Sequence, residues 1–255
     1  MTEDACFSLT RDERGVGYLE IKAGKMNILG SPEIVALTAA ITALATDDAL
    51  RCLVIRGGER AFVGGANIKE MATLTPALAE AFISRLHALC ESVRTLPVPV
   101  VARIHGWCLG GGVEFAAACD IQLASDESRF AMPEVKLGIP SVVHAAMLPG
   151  LIGTGRTRWW LLTGEIIDAA KALSWGLLDT VVPLAELDAE VERTVSGIVE
   201  CPPPAIRTQK TLCNAWDEVP LAQGTRLSIE PFGSSFATGE PGEAMTRFLT
   251  KGKSR

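Results

Sequence analysis

The stretch Ile104-His-Gly-Trp-Cys-Leu-Gly-Gly-Gly-Val-Glu-Phe-Ala-Ala-Ala-Cys-Asp120 passes from the end of an apolar strand, through three glycines, into an apolar helix. Glycines at such a junction let the backbone approach a ligand closely. The first N–H groups of a helix have no intrahelical acceptor and sit at the positive end of its dipole, an arrangement suited to a developing oxyanion. Glu114 follows Gly111 by three residues and shares its helix face. Helical side chains lean toward the N-terminus, so the Glu114 carboxylate projects toward the glycine turn. The same residues also read as a plain strand-to-helix turn, with Glu114 a first-turn carboxylate favoured by the dipole.

Two further segments have this character. Ala61-Phe-Val-Gly-Gly-Ala-Asn-Ile-Lys-Glu-Met71 joins a strand to a helix through glycines, offering a free N–H at Ala66 or an ordinary loop capped by Asn67. In Phe130-Ala-Met-Pro-Glu-Val-Lys-Leu-Gly-Ile-Pro140, Glu134 follows a proline among apolar residues. Its carboxyl either faces water or occupies a pocket where desolvation raises its pKa for proton transfer.

Outward from these segments, strands are expected at Gly15 to Lys22, Arg51 to Arg56, Val98 to Ile104, Ile121 to Ala124, Phe130 to Ala131 and Thr180 to Val182. Helices are expected from Ser31, as N-cap before Pro32, to about Ala45. Others fall at Pro76 to Arg94, Gly111 to Cys119, Gly155 to Thr163 and Ala169 to Trp175. The alternation predicts an α/β domain with a largely parallel sheet. After Pro183 the pattern is nearly all helical, and Pro202-Pro203-Pro204 is its clearest break. Leu137 to Gly155 lacks Asp, Glu, Lys and Arg but contains Pro140 and Pro149, which argues for buried loop and helix near a pocket rather than a membrane span.

The chain has 255 residues, 48% hydrophobic, with a net charge of -6. An acidic balance argues against a nucleic-acid partner. Seven scattered cysteines without a C-x-x-C pair, and an N-terminus without a basic, apolar leader, predict a reduced cytoplasmic protein with no membrane partner. His87, His105 and His144 lack metal-ligand spacing, so no metal is expected. Walker A, dinucleotide and G-x-S-x-G patterns are absent.

Together, Lys25-Met-Asn27, the three glycine- and proline-marked segments above, and Leu162-Thr-Gly-Glu-Ile-Ile-Asp-Ala-Ala170 with Gly176-Leu-Leu-Asp-Thr-Val-Val-Pro183 resemble the enoyl-CoA hydratase/isomerase (crotonase) superfamily. The resemblance runs from about Gly15 to Lys251. It implies a spiral of ββα units over residues 1–195, carrying acyl-CoA binding and catalysis, and a helical segment over 196–255 that closes the site and supports a homotrimer or a hexamer. It implies Glu114 as water activator, Glu134 as proton donor to Cα, and an oxyanion hole from the N–H groups of Ala66 and Gly111. Contacts to the acyl-CoA are implied at Lys25, Met26, Gly64, Ala66, Ile68, Lys69, Gly110, Ser141, Phe232 and Lys251, with coenzyme A part of the substrate and no separate cofactor. The presence of both glutamates favours hydration of a trans-2-enoyl-CoA; isomerase, thioester or C–C hydrolase, and non-catalytic acyl-CoA or RNA-binding relatives are the alternatives. Two departures stand out. Ser141-Val142-Val143-His144-Ala145 replaces the glycine-rich run usual in hydratases, and Asn67 stands where family members often have Asp.

Overall fold

A computed structural model describes residues 6–251, except for the side chain of Lys251. The chain opens with a hairpin of β1 (Phe7–Arg11) and β2 (Val16–Ile21). Its turn is held by Asp12, whose Oδ1 accepts from the N–H groups of Arg14 and Val16. β1 is short and mostly exposed, and its alternation rests on Phe7 and Leu9 alone, too little for a strand to be expected there. β3 (Ile28–Leu29) then leads into α1 (Ser31–Leu44).

Three turns of a spiral follow. β4 (Cys52–Arg56), β5 (Ala61–Val63) and β6 (Gly65–Ala66) enter α2 (Ile68–Met71) and α3 (Pro76–Arg94). β7 (Val100–Ile104) and β8 (Trp107–Leu109) enter α4 (Gly111–Ala117). β9 (Ile121–Ser125) and β10 (Arg129–Ala131) enter 3-10 turns at Glu134–Leu137 and Val143–Met147, then α5 (Leu148–Ile152) and α6 (Thr154–Thr163). Each turn gives its first strand to a six-stranded sheet of order β1-β2-β4-β7-β9-β12 and a second strand to a four-stranded sheet of order β11-β10-β8-β5. β11 (Ile167–Asp168), α7 (Ala169–Trp175), β12 (Thr180–Val182) and α8 (Leu184–Val199) complete this part. Apart from β1, the six-stranded sheet is parallel throughout.

The apolar runs are strands buried on both faces. Along β4, Leu53 and Ile55 face the main core with Phe62, Leu89 and Phe115. The alternate residues Cys52 and Val54 face a second core with Leu187, Val191 and Val195 of α8. This period of two sandwiches the sheet between layers of helix. α8 runs through residue 195, and the three-proline break falls at the junction with α9 (Pro203–Glu218). After it come α10 (Leu221–Leu227), α11 (Ile229–Ser235) and α12 (Glu240–Lys251). No helix among the described residues is long and apolar enough to cross a membrane.

Two expectations are corrected. Gly30, not Ser31, is the N-cap of α1: the Glu33 side chain accepts from the Gly30 N–H at 2.9 Å, while Ser31 gives its N–H and hydroxyl to Glu70. The stretch from Leu137 is not buried at its start. Leu137, Ile139 and Val142 are exposed, because the chain there rims an opening instead of crossing the core.

α9 is pinned to the spiral by the buried Lys210, whose Nζ donates to Val93 O, Val98 O and, at 2.7 Å, Asp120 Oδ2. Lys210→Ala strands these acceptors, although Asp120 keeps the Val100 N–H and some water. The expected loss is about 3 kcal/mol, the low end for a broken buried pair. Urea unfolding reads it, and a loss well below 1 kcal/mol would mean that α9 is held elsewhere.

Candidate active site

The ends of β5, β6, β8 and β10 converge on a cavity of about 150 Å³. Its wall includes Gly64, Ala66, Ile68, Gly110, Gly111, Glu114 and Glu134, seven of the expected site residues. Met26 adjoins them through its carbonyl, which accepts from the Gly64 N–H at 2.8 Å. The backbone supplies donors. Gly111 is the first residue of α4, so its N–H has no acceptor within the helix. At β6, Asn67 N–H donates to Leu29 O, whose residue pairs with Ala66. Alternate residues of a strand turn opposite ways, so the Ala66 N–H faces away from β3. Asn67 caps α2 as expected, its Oδ1 accepting from the N–H groups of Lys69 and Glu70.

Glu114 projects from the first turn of α4 and is only 3% exposed. Its Oε2 accepts from the Ala145 N–H at 3.2 Å. Burial pushes its pKa up to about 8; the Ala145 N–H opposes this, and nearby Glu134 adds to it. Glu134 lies across the cavity at the head of the 3-10 turn, half buried. Burial raises its pKa also, against its own backbone N–H and the Ser141 hydroxyl, which donates to Oε2 at 2.9 Å. Gly110 makes the approach possible. Its φ is +53°, and a Cβ there would lie 2.4 Å from Glu134 Oε1. Two carboxyls above their ordinary pKa on one cavity can hold a water and move its protons.

The other expected contacts lie elsewhere. Lys25 lines a separate shallow depression with Lys22 and Arg60, and Lys69 is exposed beside Ile68. Phe232 is exposed on α11 with its edge against Phe236, away from the cavity wall. The side chain of Lys251 lies outside the described residues.

Sequence reading missed the apolar wall of Phe82, Ile83 and Leu86 from α3, because a stripe on an amphipathic helix looks the same whether it faces core or cavity. It also missed the Ala145 N–H. Val143 reaches it through φ +42°, a left-handed turn costly for a β-branched residue, in the run where the resembled family carries glycines. His144 does not line the cavity; its side chain turns to Glu91 of α3.

This fold and this cavity define the class: an enzyme-type ββα spiral with backbone donors and a buried carboxyl pair. The chain belongs to the enoyl-CoA hydratase/isomerase family, which it matches over residues 11–255. It is 35% identical over 243 residues to a Mycobacterium bovis protein named probable enoyl-CoA hydratase echA8, covering 94% of this chain and 93% of that one. It is 34% identical to a crotonyl-CoA hydratase of Syntrophomonas wolfei, covering 89% of this chain and 88% of the relative. Among solved structures, an enoyl-CoA hydratase of Mycobacterium smegmatis superposes with a TM-score of 0.94 at 29% identity over 97% of both chains.

The raised pKa of Glu114 has a stability consequence. Between the ordinary 4.5 and about 8 the folded chain keeps a proton that the unfolded chain releases. The group's contribution to stability is therefore complete below the ordinary value and is lost as pH rises through the window, at up to about 1.4 kcal/mol per unit. Glu114→Gln removes this slope. Its urea midpoint should fall less than the parent's between about pH 6 and about pH 8; an equal fall would mean that Glu114 is ionised at neutral pH.

Proposed function

We propose that this chain is an enoyl-CoA hydratase, adding water reversibly to a trans-2-enoyl-CoA to give the 3-hydroxyacyl-CoA. The observation that carries the reading is the pair Glu114 and Glu134 on one small cavity between two backbone donors. The named activities of the relatives and their near-complete coverage of the chain support it.

In this reading the thioester carbonyl sits against the N–H groups of Gly111 and Ala66, which stabilise the negative charge that reaches its oxygen as water attacks Cβ. The two carboxyls hold the water and share one proton. At neutral pH the deeper Glu114, with its raised pKa, holds that proton before substrate binds. The shared water gives it a path to Glu134, leaving Glu114 ionised to take a proton from the water. Hydroxide equivalent goes to Cβ, and Glu134 returns a proton to Cα of the enolate. Ser141 steadies Glu134 by its hydroxyl. A cavity of about 150 Å³ suits a short enoyl group.

Lys25 and Lys69 meet the CoA phosphates in this proposal, and Phe232 and Lys251 reach CoA from the C-terminal helices. Coenzyme A arrives as part of the substrate, and the chemistry uses no other cofactor. Residues 196–255 close the site and carry association of the spiral cores of 1–195 into a trimer or a dimer of trimers. Exposed apolar side chains on the last helices, Leu221, Ile229, Phe232 and Phe248 among them, support that role. Light scattering at micromolar protein should give three or six chains, and a stable monomer would refute the assembly.

The central test is loss of crotonyl-CoA absorbance. Glu114→Gln and Glu134→Gln keep shape but cannot exchange a proton, so each should lower kcat by about 10²–10⁴-fold with little change in CoA-ester affinity. The double variant should lose less than the product, since both groups act on one water. Near-parental turnover in either single variant would remove that glutamate from the mechanism. An isomerase would lose activity with one substitution only.

A further inference from the structure

Behind the catalytic cavity lies a larger cleft of about 840 Å³, and one of its walls carries chemistry that hydration does not use. His87 and Glu91 are four residues apart on α3, so they share a face. His144 comes to them from the 3-10 turn at Val143–Met147. One ligand-type atom from each of the three lies within 4.8 Å of the others. His144 Nε2 and Glu91 Oε1 are already 2.9 Å apart, and the rings of His87 and His144 stand 5.3 Å apart, tilted by 32°. None of the three lines the acyl cavity.

We propose that His87, Glu91 and His144 form a binding site for a divalent transition-metal ion of the zinc class. Two imidazoles and one carboxylate are a donor set such ions take, with the fourth position left to water. Ligand bonds of about 2.0–2.2 Å place neighbouring donors of one tetrahedral ion somewhat over 3 Å apart. The candidate ligand atoms, within 4.8 Å of one another, reach that spacing by small side-chain rotations, for which the exposed His87 has room.

A second observation points to a ligand. His144 is 5% exposed, yet its Nδ1 has no hydrogen-bond partner among the described residues. Buried polar atoms are nearly always paired, so Nδ1 is a ring nitrogen still available as a donor atom while Nε2 keeps Glu91. Besides His144, Glu91 Oε1 accepts from Arg94 Nε at 3.0 Å, so an ion would take over part of that pairing. Asp217 and Glu218 stand on the same cleft, and Arg94 is engaged by both Glu91 and Glu218. The next residue after His144 is Ala145, whose N–H holds Glu114, so the ion would stand behind the acid–base pair and not within it.

The test is calorimetric titration of Zn²⁺ into the full-length, tag-free chain, with no acyl-CoA present, so its outcome is independent of the hydratase reading. The expected result is one ion per chain. His87→Ala and Glu91→Gln should each weaken it by at least the 10–100-fold that changes beyond the direct ligands usually cause, roughly speaking. Their urea midpoints check that the fold is kept. A variant with Cys201→Ser and Cys213→Ser, which removes the two exposed thiols, should bind as the parent does. A parent that takes up no zinc, affinity unchanged in His87→Ala, or binding abolished by loss of the thiols would each overturn the site.

Discussion

Residues 110 to 112 have no room for a side chain. A Cβ on Gly110 would strike Glu134 Oε1 at 2.4 Å, one on Gly111 would meet Leu86 Cδ2 at 2.9 Å, and one on Gly112 would lie 2.3 Å from Val63 O. Three different elements close on this turn between β8 and α4: the 3-10 turn through Glu134, α3 through Leu86 and β5 through the Val63 carbonyl. Everything chemical follows from that contact. It places the first N–H of α4 at the cavity and brings a second carboxyl within reach of Glu114. A side chain on Gly112 would have to push β5 backbone aside, and one on Gly110 would displace the Glu134 carboxylate.

The contact also sets the electrostatics. A carboxyl at the N-terminus of a helix is ordinarily favoured in its ionised form. Glu114 is nevertheless more basic than usual, because burial outweighs the helix and the single Ala145 N–H. Desolvation wins since the opposing dipole amounts to about 0.3–1 kcal/mol, whereas several pKa units are available from burial. The same turn of chain that delivers the Ala145 N–H bends through Val143 at positive φ and swings His144 out behind the cavity. The back wall of the active site is thus also the front wall of the histidine–glutamate cluster, and the 3-10 turn between them belongs to both.

The α/β class with its parallel sheet was legible from alternating strand and helix patterns, whereas the spiral was implied only by the family resemblance. Runs such as Cys52–Arg56 and Val100–Ile104 are short, mostly apolar and without strict alternation, as the strands of a covered parallel sheet are. The helices α3 and α7 follow from their periodicity with bounds matching the structure, and Asn67 from its position before α2. Short strands such as β3, β6 and β11 carry two residues each, too few for any period to register. The Ser31 cap failed because a carboxylate 39 residues away, Glu70, claims that side chain, and local pattern contains no such partner.

By itself the sequence determined the glycine turn, the two glutamates on either side of it and the order of strand and helix, since these depend on residue type and local spacing. Only the tertiary structure decided what the side chains face. The apolar stripe of α3 lines a cavity as well as a core, the uncharged stretch from Leu137 rims an opening, and His144 stands 53 positions from its partner Glu91. Burial, pKa and ligand geometry belong to distances between atoms remote along the chain. A one-dimensional pattern fixes which groups are available, and packing fixes which of them lose their water together.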